Sequence, residues 1–181
     1  MSEPDLLTLA GSQHGYFTTA QAGTAGISRR ALLGRHRKGL LERVAFGLYR
    51  LPQFPAGPLD ELYALQAIAP TATFSHETAL QLYGLSDVLP KTIHVTVAPE
   101  SGLKPRASVR IHRSRMGPDD RILRDDLWLT SLRRTLADCA RIGTDAEQLL
   151  AALAEGRDRG MLTPDDLLNL GRVYPFSSAL R

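Results

Sequence analysis

Gly26-Ile27-Ser28-Arg29-Arg30-Ala31-Leu32-Leu33-Gly34-Arg35-His36-Arg37-Lys38-Gly39 is the stretch on which the fold of this chain turns. Ile27 and Ser28 have the form of an apolar staple residue followed by an N-cap, and Gly39 is a C-terminal stop. The spacing predicts a helix from Arg29 to Lys38. At about 100° per residue, Leu32, Leu33 and His36 share one side. Arg30, Gly34, Arg37 and Lys38 share the other, with Arg35 flanking them. The cations are therefore gathered on a face, with apolar residues opposite to pack.

Upstream, Asp5 to Gln13 carries Leu6, Leu7, Leu9 and Ala10 at helical spacing, behind Pro4 and ahead of Gly15. Thr18 or Thr19 caps a second, short helix over Ala20-Gln21-Ala22, ended by Gly23-Thr24-Ala25-Gly26. Downstream the period switches to two. Leu41, Arg43 and Ala45 alternate with Glu42 and Val44, Phe46-Gly47 forms a turn, and Leu48-Tyr49-Arg50-Leu51 returns.

Helix, short helix, basic helix and hairpin follow one another in the order of a winged helix-turn-helix, whose last helix lies in the DNA major groove. On that reading Arg30, Arg37 and Lys38 supply donors for base edges or phosphates, while Ser28, Arg29 and Arg43 position the module and Arg35 flanks it. Gly34 costs such a helix about 1 kcal/mol relative to Ala, which is understandable if the backbone must approach DNA or another helix closely. The tip, Phe46-Gly47, would lie over the DNA backbone or minor groove, with Phe46 on sugars or against a neighbouring protein surface.

The charge distribution agrees. Over 181 residues, 22 Lys+Arg against 19 Asp+Glu leave a net +3, which averages over a marked segregation. Gly26 to Arg50 holds Arg29, Arg30, Arg35, Arg37, Lys38, Arg43 and Arg50 against Glu42, a net +6. Leu51 to Glu100 carries a net −4, and Ser101 to Arg115 a net +5 from Lys104, Arg106, Arg110, Arg113 and Arg115. This second block reads as a strand edge guarded by charge, the alternatives being further DNA-backbone contact or docking of an acidic partner.

Pro52, Pro55, Gly57 and Pro58 break every regular pattern, which predicts a joint between a domain at residues 1–52 and a second at 58–181. The second reads as α/β. Leu59 to Ile68 is helical, and Ser75 caps a helix through Leu82. Thr71 to Phe74, Thr92 to Val97, Ser108 to His112 and Asp126 to Thr130 are strand candidates for one small mixed sheet. Ser131 to Ala140, Asp145 to Arg159 and Pro164 to Leu170 are C-terminal helices, the last with Thr163 as cap. The fold class expected is α+β, a winged helix-turn-helix followed by this α/β domain.

Neither a Gly-rich phosphate loop nor a G-x-S-x-G turn occurs, so an enzyme is not expected. His76 with Glu77, His94 and His112 would have to converge to bind metal, but without a local H-x-x-x-H or C-x-x-C pair they read as isolated histidines. No metal and no cofactor are therefore expected. Asp119-Asp120 and Asp125-Asp126 around Arg121 and Arg124 read as a solvated loop, and Trp128 as a core or interface aromatic. Cys139, the single cysteine, reads as a small buried hydrophobe. With no apolar run of membrane length and an acidic start at Met1-Ser2-Glu3-Pro4-Asp5, a cytoplasmic location is expected.

Three phrases, Gly15-Tyr16-Phe17-Thr18-Thr19-Ala20-Gln21-Ala22, Gly26-Ile27-Ser28-Arg29-Arg30-Ala31-Leu32 and Gly39 to Arg50, together resemble the N-terminal winged helix of AbiEi-type antitoxins. Phe74 to Asp87, Ile93 to Val97 and Leu129 to Asp138 are similar to the C-terminal domain of that family. The resemblance implies a repressor of a toxin-antitoxin operon, binding double-stranded DNA at inverted repeats as a monomer or weak dimer. Its second partner would be a nucleotidyltransferase-like toxin. Phe46 departs from the basic wing tip of relatives, which leaves open a module that opposes the toxin without binding DNA.

Overall fold

Thr18 and Ser28 begin their helices as their side chains allow. Thr18 Oγ1 accepts from the Gln21 amide while Gln21 Oε1 accepts from the Thr18 amide, a reciprocal capping box. Ser28 Oγ accepts from the Ala31 amide at 3.2 Å. A computed structural model, describing residues 3–179 except 86, 88, 89 and 174, divides the chain into two units that meet between Thr71 and Ala72.

The first unit runs α1 (Glu3–Gly11), β1 (Tyr16–Thr18), α2 (Thr19–Thr24), α3 (Arg29–Arg37), β2 (Glu42–Ala45), β3 (Leu48–Arg50) and α4 (Asp60–Ile68). Its sheet has the order β1-β3-β2, all antiparallel. β1 is a strand the periodicity did not show; three residues are too few to declare a period, and its partner lies some thirty positions away. Leu6, Ala10, Phe17, Ala22, Ile27, Leu32, Leu41, Tyr49 and Leu51 form one core, and Tyr16, Leu48 and Ala67 a second.

The proline-rich joint does not end this unit at residue 52. Leu51 donates from its amide to the Gly15 carbonyl, Phe54 packs on the main core, and α4 lays Tyr63, Ala64 and Ile68 against the second core. Arg50 ties the segment further, pairing with Glu42 at 2.8 Å and Asp60 at 3.0 Å. Proline interrupts local hydrogen bonding without preventing side chains beyond it from burying apolar surface, so the unit continues through α4.

The second unit contains β4 (Thr73–Phe74), α5 (His76–Tyr83), β5 (Ile93–Val97), β6 (Val109–Arg113), β7 (Arg121–Arg124), β8 (Leu127–Thr130), α6 (Leu132–Arg141), α7 (Ala146–Asp158), α8 (Pro164–Leu170) and α9 (Phe176–Ala179). The five-stranded mixed sheet has the order β6-β5-β4-β8-β7. β7 corrects the reading of Asp119 to Asp126 as a loop. Asp125 and Asp126 have φ of 50° and 58°, the paired left-handed conformation of a two-residue hairpin turn, and Arg124 stands opposite Leu127. α5 and α6 pack together over this sheet, with Phe74, Leu80, Val95, Leu129 and Leu136 fully buried.

Candidate nucleic-acid interface

α3 buries Leu32 alone. Leu33 is 40% exposed and His36 is exposed, so the packed side is narrower than the helical spacing predicts. The reason is local: His36 turns its Nδ1 to the Leu41 carbonyl at 2.9 Å, bracing the turn into β2 rather than entering the core. Arg30, Arg37 and Lys38 are exposed, and none makes an ion pair with a described residue. Arg35 is tucked in further, with one guanidinium nitrogen buried and unpartnered.

Gly34 lies on this cationic face, and a Cβ built there would meet nothing within 4 Å. Packing against another helix of the unit is therefore not why glycine stands there. The face is open to whatever approaches from outside.

The wing is fastened to the helix-turn-helix at two points. Gly47, at φ +74°, turns the chain between β2 and β3, and its carbonyl accepts from the Thr19 amide at 2.8 Å. Phe46 beside it is 82% exposed, with Arg29 from the start of α3 at 5.8 Å and Arg43 from β2 at 5.7 Å from its ring centre. Two cations and an aromatic ring thus lie between the first turn of α3 and the wing. Leu40, in the turn after α3, and Val44, in β2, are further exposed apolar side chains that the spacing does not single out, because turn and edge positions carry no burial signal. Ser28, Arg29, Arg30, Gly34, Arg35, Arg37, Lys38, Arg43, Phe46 and Gly47 all belong to α3, its cap or the wing, whereas Arg50 is neutralised by Glu42 and Asp60.

In the second unit the histidines are not isolated. His76, His94 and His112 bring one ring nitrogen each within 4.8 Å of one another, although they come from three different elements. Burial pushes His76 down to about 3, helped by His112, His94, Arg134 and Arg141; burial also lowers His94 and His112. Glu77 instead accepts from Thr144 Oγ1 at 3.0 Å. Ser75 is the N-cap of α5 by position, but its Oγ serves His76 and Thr96 rather than the helix. β6 is an edge strand with Arg110 and Arg113 exposed. Arg121 stacks on Trp128 at 3.9 Å, and burial pushes the Cys139 thiol up to about 12, out of reach of thiolate chemistry.

Residues 4–52 match the model of the family described as "Transcriptional regulator, AbiEi antitoxin". That span holds α1 through β3, the helix-turn-helix and its wing. No curated protein matches the chain. No helix among the described residues is long and apolar enough to cross a membrane.

Proposed function

We propose that this chain is a sequence-specific DNA-binding repressor, the antitoxin of a toxin-antitoxin operon whose promoter it autoregulates. α3 enters the major groove with Arg30, Arg37 and Lys38 toward base edges and phosphates, and Gly34 lets its backbone come close. Ser28, Arg29, Arg35, Arg43 and the Phe46-Gly47 tip flank that contact. The observation that carries the reading is the open face of α3, where Arg30, Arg37 and Lys38 pair with no acid among the described residues and a Cβ at Gly34 would meet none of them within 4 Å. The family match over residues 4–52 supports it. The operator would be an inverted repeat bound by monomers or weak dimers in the cytoplasm, and the role is binding rather than catalysis.

A mobility-shift titration with the DNA upstream of the chain's own gene tests this. Arg30→Glu with Arg37→Glu, both exposed, abolishes binding while the circular dichroism spectrum is retained. Full affinity in that double variant would overturn the assignment.

Phe46 favours a second reading, in which the chain is a protein-interaction antitoxin opposing a nucleotidyltransferase-like toxin without DNA. An exposed aromatic at the tip, with Leu40 and Val44 of the same unit also exposed, suits a protein surface. Fluorescence anisotropy with random duplex DNA at low salt separates the two, since only the first predicts salt-sensitive binding.

A further inference from the structure

Three features of the second unit converge on one face of its sheet. β5 and β6 run parallel with Thr96 opposite His112 and His94 opposite Arg110, so His94 and His112 project from the same face. His76, the first residue of α5, is brought over them because the Ser75 amide donates to the His94 carbonyl at 3.0 Å. The His94 amide in turn donates to Thr78 Oγ1 at 2.8 Å, holding the first turn of α5 to β5. His76 sits at φ +52°, a left-handed conformation that an L side chain seldom adopts without a local reason. The rings lie 3.6 Å (His76 to His112), 5.1 Å (His94 to His112) and 5.7 Å (His76 to His94) apart between centres.

We propose that His76, His94 and His112 are the protein ligands of a zinc ion in this unit, with the fourth coordination position open to solvent. The nitrogens meet within 4.8 Å, and two of the imidazole nitrogens, Nδ1 of His94 and Nε2 of His112, are buried without a hydrogen-bond partner. Folded interiors seldom leave such atoms unsatisfied, and His94 is only 3% exposed. A dication would accept lone pairs from these nitrogens that no described residue uses.

The supporting groups fit that role. Ser75 Oγ accepts from Thr96 Oγ1 at 2.8 Å and lies 2.9 Å from His76 Nδ1. In the tautomer that donates from Nδ1 to Ser75, His76 keeps the Nε2 lone pair for the metal, the usual arrangement behind a ligating histidine. Asp138, which lines the same cavity, is already engaged by Arg134 and Arg141 at 2.7 Å each, and Glu77 accepts from Thr144 Oγ1, so neither is assigned as the fourth ligand. A cavity of about 650 Å³ lined by His76, His112, Ser114, Arg134, Asp138 and Arg141 reaches the cluster, giving solvent access to the remaining position. Three imidazoles and a water form a donor set suited to zinc. Because a metal lies in the plane of each imidazole it binds, His76 turns off its stack with His112 when zinc enters.

The test uses the full chain without an affinity tag, stripped with chelator and titrated with zinc chloride by calorimetry. One equivalent binds tightly, and cobalt chloride in its place gives the intense visible bands of a four-coordinate site. Loss of an outer partner alone costs about 10- to 100-fold in affinity, so His112→Gln, on the edge strand, weakens zinc by more than about 100-fold. His94→Gln does the same. His14→Gln and His36→Gln, in the first unit, leave stoichiometry and affinity unchanged. If His94→Gln fails to fold by circular dichroism, His112→Gln carries the test alone. Absence of stoichiometric zinc binding in the parent chain, or equal affinity in folded His112→Gln, overturns the proposal.

Discussion

The guanidinium of Arg29 stands 5.8 Å from the ring centre of Phe46, which joins the first turn of α3 to the tip of the wing. Arg43 approaches the same ring at 5.7 Å, so one exposed aromatic orders two cations at the edge of α3. Phe46→Ala removes that anchor without touching the core. Thermal stability stays within about 0.5 kcal/mol of the parent, since surface changes outside special sites rarely do more. Operator affinity falls by about 2- to 5-fold, the equivalent of the roughly 0.5–1 kcal/mol of an exposed cation–π contact. An anisotropy titration with unchanged affinity would remove Phe46 from the interface.

The salt dependence of operator binding counts phosphates. Five contacts by the exposed cations of α3 and the wing predict a slope of about −4.5 in log affinity against log salt. Lys38→Gln lowers the steepness by about one while leaving base preference intact, as a phosphate contact should. A slope near zero in the parent chain would be incompatible with a groove lined by these residues.

Gly34 separates stability from binding. Gly34→Ala raises the stability of the first unit by about 0.5–1 kcal/mol, because alanine is the better helix former and its Cβ has open space around it. Gly34→Leu adds bulk on the same open face and lowers operator affinity at least tenfold while the unit stays folded. Equal affinity for glycine and leucine variants in a mobility shift would refute close backbone approach.

Gly15 has the opposite character. Its φ of +89° and a Cβ that would meet Phe54 at 2.7 Å make Gly15→Ala destabilising by about 2–3 kcal/mol, through backbone strain and overpacking together. Urea unfolding followed by far-ultraviolet circular dichroism measures it. A variant as stable as the parent would mean that the segment after Pro52 does not hold the first unit together.

Asp120 links stability of the second unit to pH. Burial alone would raise its carboxyl, but the Gly117 amide, Arg134 and Arg133 outweigh burial and hold it below the ordinary carboxylate range. A depressed folded value stabilises above the unfolded pKa of about 3.9 and is lost as pH falls through the folded one. Urea midpoints read from Trp128 fluorescence therefore fall as pH drops below about 4. Asp120→Asn, which removes charged hydrogen bonds to both arginines, costs about 2 kcal/mol at pH 7 and flattens that acid limb. An unaltered acid limb in the variant would exclude this ion-pair network as its source.

The features legible in the chain were those whose physics is local. Ser28 before Arg29, Thr163 before Pro164 and the Phe46-Gly47 turn depend on hydrogen bonds and dihedrals a few residues apart, and they stand where the spacing expects. The placement of Arg30, Arg37 and Lys38 on one exposed face followed from helical geometry alone.

The features that were not legible depend on partners far along the chain. Tyr16 to Thr18 is a strand only because β3 lies beside it, and His36 stays out of the core because its ring is occupied with the Leu41 carbonyl. Phe54 and α4 belong to the first unit because apolar surface beyond the prolines finds Gly15, Tyr16 and Leu48. The histidines show the limit most plainly. Their types and positions are written in the sequence, but spacings of 18 residues between neighbours in the chain carry no ligand pattern. Parallel pairing of β5 with β6, and the Ser75 bond that swings His76 over them, made a cluster from residues that spacing alone reads as separate. Periodicity encodes which face a side chain takes within its own element; which elements then meet is decided by the burial of the whole chain.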